Sequence, residues 1–140
     1  MPARRDLLFP LLLLGGLALS RAGAQALGLL LPQDRGPREL DVSAYPPEIR
    51  EGYRVFAHKC SKCHTLARPL NTTMRADFWA RYVGEMMQRP ASNIGETDAR
   101  AIYAFLAYDQ THRKDADPGR FFPPLTDEQI ELLLAERGRR

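Results

Sequence analysis

Cysteine is scarce in this chain: two residues among 140, beside one tryptophan and three histidines. Two thiols cannot build a multi-disulfide scaffold. No apolar run reaches the ~18 uninterrupted residues of a confident membrane span. An excess of one charge is also lacking, because 20 Lys plus Arg face 17 Asp plus Glu, a formal net charge of +3. Acidic residues are interspersed among the basic ones, so a broad nucleic-acid footprint is not indicated. No convincing alternating strand pattern, internal repeat or long low-complexity tract is present. What remains is a 44% hydrophobic share, enough for a modest core. It excludes a wholly disordered chain and a coiled-coil rod.

The first residues read as a leader rather than as fold. Arg4 and Arg5 precede the apolar stretch Leu7 to Leu19, and Ala22-Gly23-Ala24 supplies small residues for processing. That order predicts a secretory signal peptide over 1–24, with Ala24-Gln25-Ala26 as a second cleavage choice. The alternative is a retained anchor over Leu7 to Leu31, which must tolerate Arg21 within it. No cysteine follows the stretch, so a lipid-modified amino terminus is excluded. Removing 1–24 leaves 116 residues with 17 basic and 16 acidic side chains, a net charge near +1. The expected location is the periplasm or the periplasmic face of the membrane.

Residues 25–47 hold Pro32, Pro37, Pro46 and Pro47 and predict an extended arm. A first helix starts near Pro47 or Glu48, with Ile49, Tyr53 and Phe56 on one face, and ends at His58 or just before Cys60. Residues 65–75 read as a loop around Pro69 and Asn71-Thr72-Thr73. A second helix runs from about Ala76 to Gln88, with Trp79, Val83 and Met86 at i, i+4 and i+7. Thr97 is the expected N-cap of a third helix carrying Ile102, Phe105 and Leu106 to about Thr111. Thr126-Asp127-Glu128-Gln129 is a capping box for a last short helix. The expected compact unit is 48–112, and 113–140 form an extension. A unit of this size is marginal without a staple, a metal or a cofactor.

Both cysteines lie in Cys60-Ser61-Lys62-Cys63-His64. This C-x-x-C-H pattern is the attachment signal for c-type haem. Two thiols three residues apart add to the two vinyl groups of one porphyrin, and the adjacent histidine reaches the iron as a neutral imidazole. Its other nitrogen should donate to a backbone carbonyl, and the loop ending at Pro69 is a candidate supplier. Three other readings compete. A dithiol oxidoreductase needs an exposed low-pKa Cys60, normally opening a helix behind a strand, and no strand precedes it. Zinc would draw on His58, Cys60, Cys63 and His64, crowded into one short stretch, whereas structural sites separate their halves. A plain disulfide leaves His64 without a purpose.

An electron carrier needs a second iron ligand, and a thioether favours ferrous iron and raises the potential. Met74 lies close to the attachment site itself. Met86 and Met87 follow His64 by 22 and 23 residues, far enough for the chain to round the haem edge. Met86 lies on the Trp79–Val83 stripe and Met87 is four residues from Val83, so both remain candidates. One of the two is then a core gap-filler. Trp79 packs either on the porphyrin or simply in the core. His112 is the outside candidate for a bis-histidine site.

With these motifs in place, the chain resembles the small single-haem class I cytochromes c over roughly residues 48–110. The resemblance rests on the first helix ending in Cys60–His64, on Trp79-x-x-x-Val83-x-x-Met86, and on the closing helix Asp98 to Tyr108. The chain departs from the more familiar members in having Pro69 alone after the haem motif and Gln88-Arg89 before Pro90. The resemblance implies an all-α cytochrome c-like fold, about three core helices around one covalent haem c, plus a C-terminal accessory helix. It implies Tyr53 and Phe56 packing against Ile102, Phe105 and Leu106. It implies electron transfer rather than enzyme chemistry, with His64 proximal and a methionine distal.

Redox proteins are the expected partners, met as a free shuttle or within a membrane-bound respiratory or photosynthetic complex. Membrane contact would come through a retained N-terminal segment or through such a complex. Lys59, Lys62 and Arg68 make the haem-edge neighbourhood basic. Phe121, Phe122, Leu125 and the Ile130–Leu134 helix form an apolar patch that folds back or docks. The rival function is a haem enzyme or gas sensor with an open distal site. A third class is a structural subunit without haem.

Overall fold

A proline at the first helical position sacrifices no hydrogen bond, and the first α-helix opens on Pro47. The computed structural model describes residues 31–138. The expected signal peptide over 1–24, its cleavage choices and the start of the arm lie outside the described residues. Five α-helices follow in order: α1 (Pro47–Cys60), α2 (Ala67–Asn71), α3 (Ala76–Met87), α4 (Glu96–Asp109) and α5 (Asp127–Gly138). Among the described residues there is no β-strand, only an isolated parallel bridge between Thr72 and Phe122. The described chain is therefore all-α. None of its helices is long and apolar enough to cross a membrane.

The periodic apolar faces read from the sequence form the core. Ile49 and Phe56 from α1 meet Ile102, Phe105 and Leu106 from α4, with Trp79 and Val83 from α3 and Leu70 from α2 completing the cluster. The Phe105 ring lies 5.1 Å from both Tyr53 and Phe56, centroid to centroid. Gly52 allows α1 and α4 to approach this closely. A Cβ there would stand 2.5 Å from the Ala101 carbonyl oxygen and 3.1 Å from Phe105 Cβ. Glycine within a helix costs about 1 kcal/mol relative to alanine, and the crossing supplies the reason for it.

Three local expectations need correction. The 65–75 segment is not wholly a loop, because α2 occupies Ala67–Asn71. The Thr65 hydroxyl accepts the Ala67 N–H at 3.2 Å and starts the turn, and Ala67, Pro69 and Leu70 are buried. Secondly, α4 is preceded by Gly95 rather than capped by Thr97. The Asp98 carboxylate reaches back to accept the Gly95 N–H at 3.2 Å, which moves the start two residues earlier. Thirdly, the helix does not stop near Thr111. It continues past Asp109 as a π-helical turn over Gln110–Lys114.

The arm and the chain after α4 both fold onto this body. A 3-10 turn over Pro32–Arg35 buries Gln33 and Asp34. Asn71 holds it by donating through Nδ2 to the carbonyls of Gln33 at 3.2 Å and Pro37 at 3.0 Å. The Gln33 amide in turn donates to the Pro123 carbonyl at 2.9 Å. Phe122 pairs along the backbone with Asn71 and Thr73 at 3.0 and 2.8 Å, so this backbone folds back on the body while the Phe122 ring stays exposed. The predicted capping box opens α5: Gln129 Oε1 accepts the Thr126 N–H at 2.8 Å, and Thr126 Oγ1 accepts the Gln129 N–H at 3.2 Å.

Beneath these segments lies a buried ionic cluster. Asp109 accepts from Arg113 Nε and Nη2, both at 2.6 Å, and from the Tyr45 hydroxyl at 2.9 Å. Lys114 Nζ donates to the carbonyls of Pro69 at 2.9 Å and Thr72 at 2.7 Å. It lies 3.6 Å from Asp109 and 4.5 Å from the centre of a Trp79 ring. Asp109 and Lys114 have no solvent exposure. Burial depresses the Lys114 ammonium to about 8.

Candidate functional site

The last turn of α1 delivers Cys60, and the turn after it delivers Cys63 and His64. These three side chains line one cleft together with Met86 from the end of α3 and Pro90, Ser92 and Ile94 from the loop beyond. Lys59 and Arg89 are the charged residues in its wall. The sequence separates the two contributing segments by more than twenty residues. The packing of α1 and α3 on α4 brings them together.

The electrostatics of each donor follow from its surroundings. Both cysteines are thiols in the structure. Burial pushes the Cys60 thiol up to about 12, with the neighbouring Cys63 adding to the shift. A nucleophilic dithiol centre needs the opposite, a thiolate at neutral pH. His64 Nδ1 lies 2.9 Å from the Thr65 carbonyl oxygen. A carbonyl only accepts, so Nδ1 carries the proton and Nε2 carries the lone pair. Burial lowers the His64 pKa and favours this neutral imidazole. The side chain is thus both oriented and available as a ligand.

The structure separates the two methionines. Met86 is in the cleft wall and Met87 is not. Adjacent helical residues point about 100° apart, and the rotation of α3 puts Met86 on the cleft side. Met74 sits elsewhere, packed against the core cluster. Trp79 is also absent from the cleft wall. It is fully buried, and its indole N–H donates to Gln110 Oε1 at 3.2 Å. A buried indole needs such an acceptor, and Gln110 holds the ring in the core beside Lys114. His112 is exposed and stacks on Tyr108 at 3.8 Å between centroids.

The loop closing the cleft carries backbone strain. Ala91 has φ of 62° and Asn93 has φ of 50°, the left-handed region that costs a residue bearing a Cβ. Lys59 fastens this loop to the end of α1. Its ammonium donates to the Asn93 carbonyl at 2.5 Å and pairs with Asp98 at 2.8 Å. Arg68 is paired as well, bidentate to the buried Asp34 at 2.9 and 2.5 Å. Of the three cations expected to make this neighbourhood basic, Lys59 and Arg68 are therefore each paired with a carboxylate.

Among the described residues, no three His, Cys, Asp or Glu side chains converge to hold a metal ion. That weighs against the zinc reading of His58, Cys60, Cys63 and His64. Haem iron draws its axial ligands differently, as one imidazole with one thioether in the electron carriers. Sequence reasoning missed Asp34 and Lys59 as residues organising this region. Both look like surface charges in the sequence, and their partners are remote along the chain. Comparison with protein-family models, curated proteins and solved structures found no match.

Proposed function

We propose that the chain is a monohaem c-type cytochrome of the class I kind, exported to the periplasm, that carries single electrons. One observation carries the reading: Cys60, Cys63, His64 and Met86, drawn from separate elements, line one cleft. The donor chemistry fits the group. Cys60 and Cys63 would each add an S–H across one porphyrin vinyl group, forming two thioethers. His64 would present the Nε2 lone pair that its Thr65 hydrogen bond leaves open. Met86 would present its thioether from the other segment. Pro90 and Ile94 would keep water from the buried face. When bound, the haem supplies the one-electron iron couple. The α1–α4 crossing supports the class I arrangement that the sequence resembles.

On this reading the partners are redox proteins, met either by a free shuttle or within a membrane-bound electron-transfer complex. Pairing of Lys59 with Asp98 and of Arg68 with Asp34 offsets two of the cations near the cleft, while Arg89 stands in its wall.

The test is to produce the full chain with a haem-attachment system and stain a denaturing gel for haem. Covalent haem that survives denaturation, and is lost in Cys60→Ser/Cys63→Ser, is the expected result. An unstained wild-type band overturns the reading. In the oxidised protein, a far-red thioether-to-iron charge-transfer band is expected to vanish in Met86→Ala and persist in Met87→Ala. High-spin iron that binds carbon monoxide readily would instead favour the haem enzyme or gas sensor.

A further inference from the structure

The loop on the Met86 side of the cleft is held from the opposite segment. Met86 is the last residue but one of α3, and the chain turns directly out of it. The Met86 carbonyl accepts the Arg89 N–H at 3.2 Å, and the Met87 carbonyl accepts the Ser92 hydroxyl at 3.3 Å. The loop then passes through Ala91 and Asn93, both in the left-handed region, before α4 begins after Gly95. Such backbone persists only where the surroundings over-determine it. Lys59 supplies that restraint. It stands beside Cys60 at the end of α1 and lines the cleft. Its ammonium donates to the Asn93 carbonyl at 2.5 Å and pairs with the Asp98 carboxylate at 2.8 Å. Asp98 in turn accepts the Gly95 N–H at 3.2 Å. One cation thus pins a strained residue and the exit of the loop together. Side-chain exposures of 19% for Lys59 and 30% for Asp98 set this pair apart from Arg54–Glu51 and Arg75–Asp77, whose side chains are all 55% exposed or more.

Resting on the haem reading above, we propose that Lys59 is a positioning residue for the distal ligand: it straps the Arg89–Gly95 loop across the cleft and so keeps the Met86 thioether in place against an incoming small ligand. The physical basis is a closed–open equilibrium of the loop. In the closed arrangement of the structure, Pro90, Ser92 and Ile94 line the cleft beside Met86. Without the strap, the left-handed conformations of Ala91 and Asn93 favour relaxation to ordinary backbone. That relaxation pulls on the turn that starts at the Met86 carbonyl. A ligand that needs the open form binds with an affinity reduced by the fraction that is open. The strap is therefore read directly as resistance to such a ligand. Its two anchor points are separable, because Asn93 is held through its backbone and Asp98 through its carboxylate.

The test is titration of the oxidised, haem-loaded full chain with imidazole, followed by loss of the far-red thioether band. Lys59→Met removes both bonds and keeps the aliphatic stem. It is expected to bind imidazole roughly tenfold more tightly than wild type. Asp98→Asn keeps the Asn93 bond and is expected to give a smaller shift in the same direction. Met86→Ala already opens the position, so adding Lys59→Met to it is expected to change the affinity no further when followed in the Soret band. Wild-type affinity in haem-bearing Lys59→Met overturns the inference. So does an equal gain in the Met86→Ala background, since Lys59 would then act on the ligand itself rather than through the loop. If Lys59→Met takes up no haem, Asp98→Asn decides, and wild-type affinity there overturns the inference. Loss of haem in both makes Lys59 a general structural residue and overturns it too. A wild-type chain without covalent haem, or a thioether band that survives Met86→Ala, would instead overturn the functional reading or its Met86 assignment, so the failures are distinguishable.

Discussion

The crossing of α1 on α4 and the ionic cluster around Asp109 are two solutions to the same problem of holding a small chain together. The crossing is apolar, short-range and built from aromatic rings over Gly52. The cluster is charged, centred on the fully buried Asp109 and Lys114, and assembled from the arm, α2, α3 and the π-helical turn. The first draws its stability from area removed from water, about 1.5–3 kcal/mol for a buried phenylalanine. The second gains little net energy when complete, yet leaves desolvated charge behind when one member is removed. A region of the first kind degrades gradually under substitution. A region of the second kind fails abruptly.

The largest effect should therefore come from Asp109→Ala, which strands Arg113, Lys114 and the Tyr45 hydroxyl. A loss of about 3–5 kcal/mol is expected in denaturant unfolding. A loss below about 1 kcal/mol would break the contrast drawn here, since that is the range of a surface pair.

Phe56→Ala should cost a similar or slightly smaller amount, about 3–5 kcal/mol, through lost burial and a cavity against Phe105. Unlike the cluster, the crossing should grade its response, so Phe56→Leu is expected to cost clearly less in the same unfolding measurement.

Lys114 provides a pH-resolved test. Its folded value near 8 lies below the ordinary 10.5, so the folded state releases this proton first. The unfolded chain then binds more protons between those values, and stability rises with pH across the window. Below pH 8 both states hold the proton and the penalty of burying the charge is complete. Relative to Lys114→Met, wild type should gain on the order of 3 kcal/mol between pH 8 and 10.5. The comparison is cleanest below pH 10. Tyr45 and Tyr82 have raised folded values, so their unfolded forms ionise first and lower stability above that point in both proteins. A pH-independent difference between the two chains would remove Lys114 from the cluster's energetics.

The smallest effect belongs to Gly52→Ala. The added Cβ meets backbone at the crossing, while the helix itself gains propensity. A net loss of about 1–3 kcal/mol is expected. A neutral or stabilising result would mean that the crossing is looser than the structure describes.

The same contrast explains what was legible from sequence. Ile49, Phe56, Trp79, Val83, Ile102, Phe105 and Leu106 recur at helical spacing, so the core faces could be read directly. The Thr126–Gln129 cap is local and was equally readable. The gathering of Cys60, Cys63 and His64 followed from adjacency, whereas separating Met86 from Met87 needed the rotation of α3. The ionic contacts were invisible because a buried Lys114 or Asp34 is spelled like any solvated charge. Apart from Asp109, which is close to Arg113 and Lys114 along the chain, their partners lie many residues away, beyond any local pattern. For α2, turn-forming residues hid a helix whose stability comes from Asn71 bonding back to Ala67 and outward to the arm.

The hydrogen bond from Gln33 to Pro123 joins positions 90 residues apart. During synthesis from the N-terminus, nothing can latch the arm at that point until nearly the whole described chain has been made. Closing so long a loop is slow compared with forming the local helices. The local helices, and the Asn71 and Arg68 bonds that tie the arm to α2, can therefore form before it. The latch is thus a late fastening that joins the two ends of the described chain after its helices are in place.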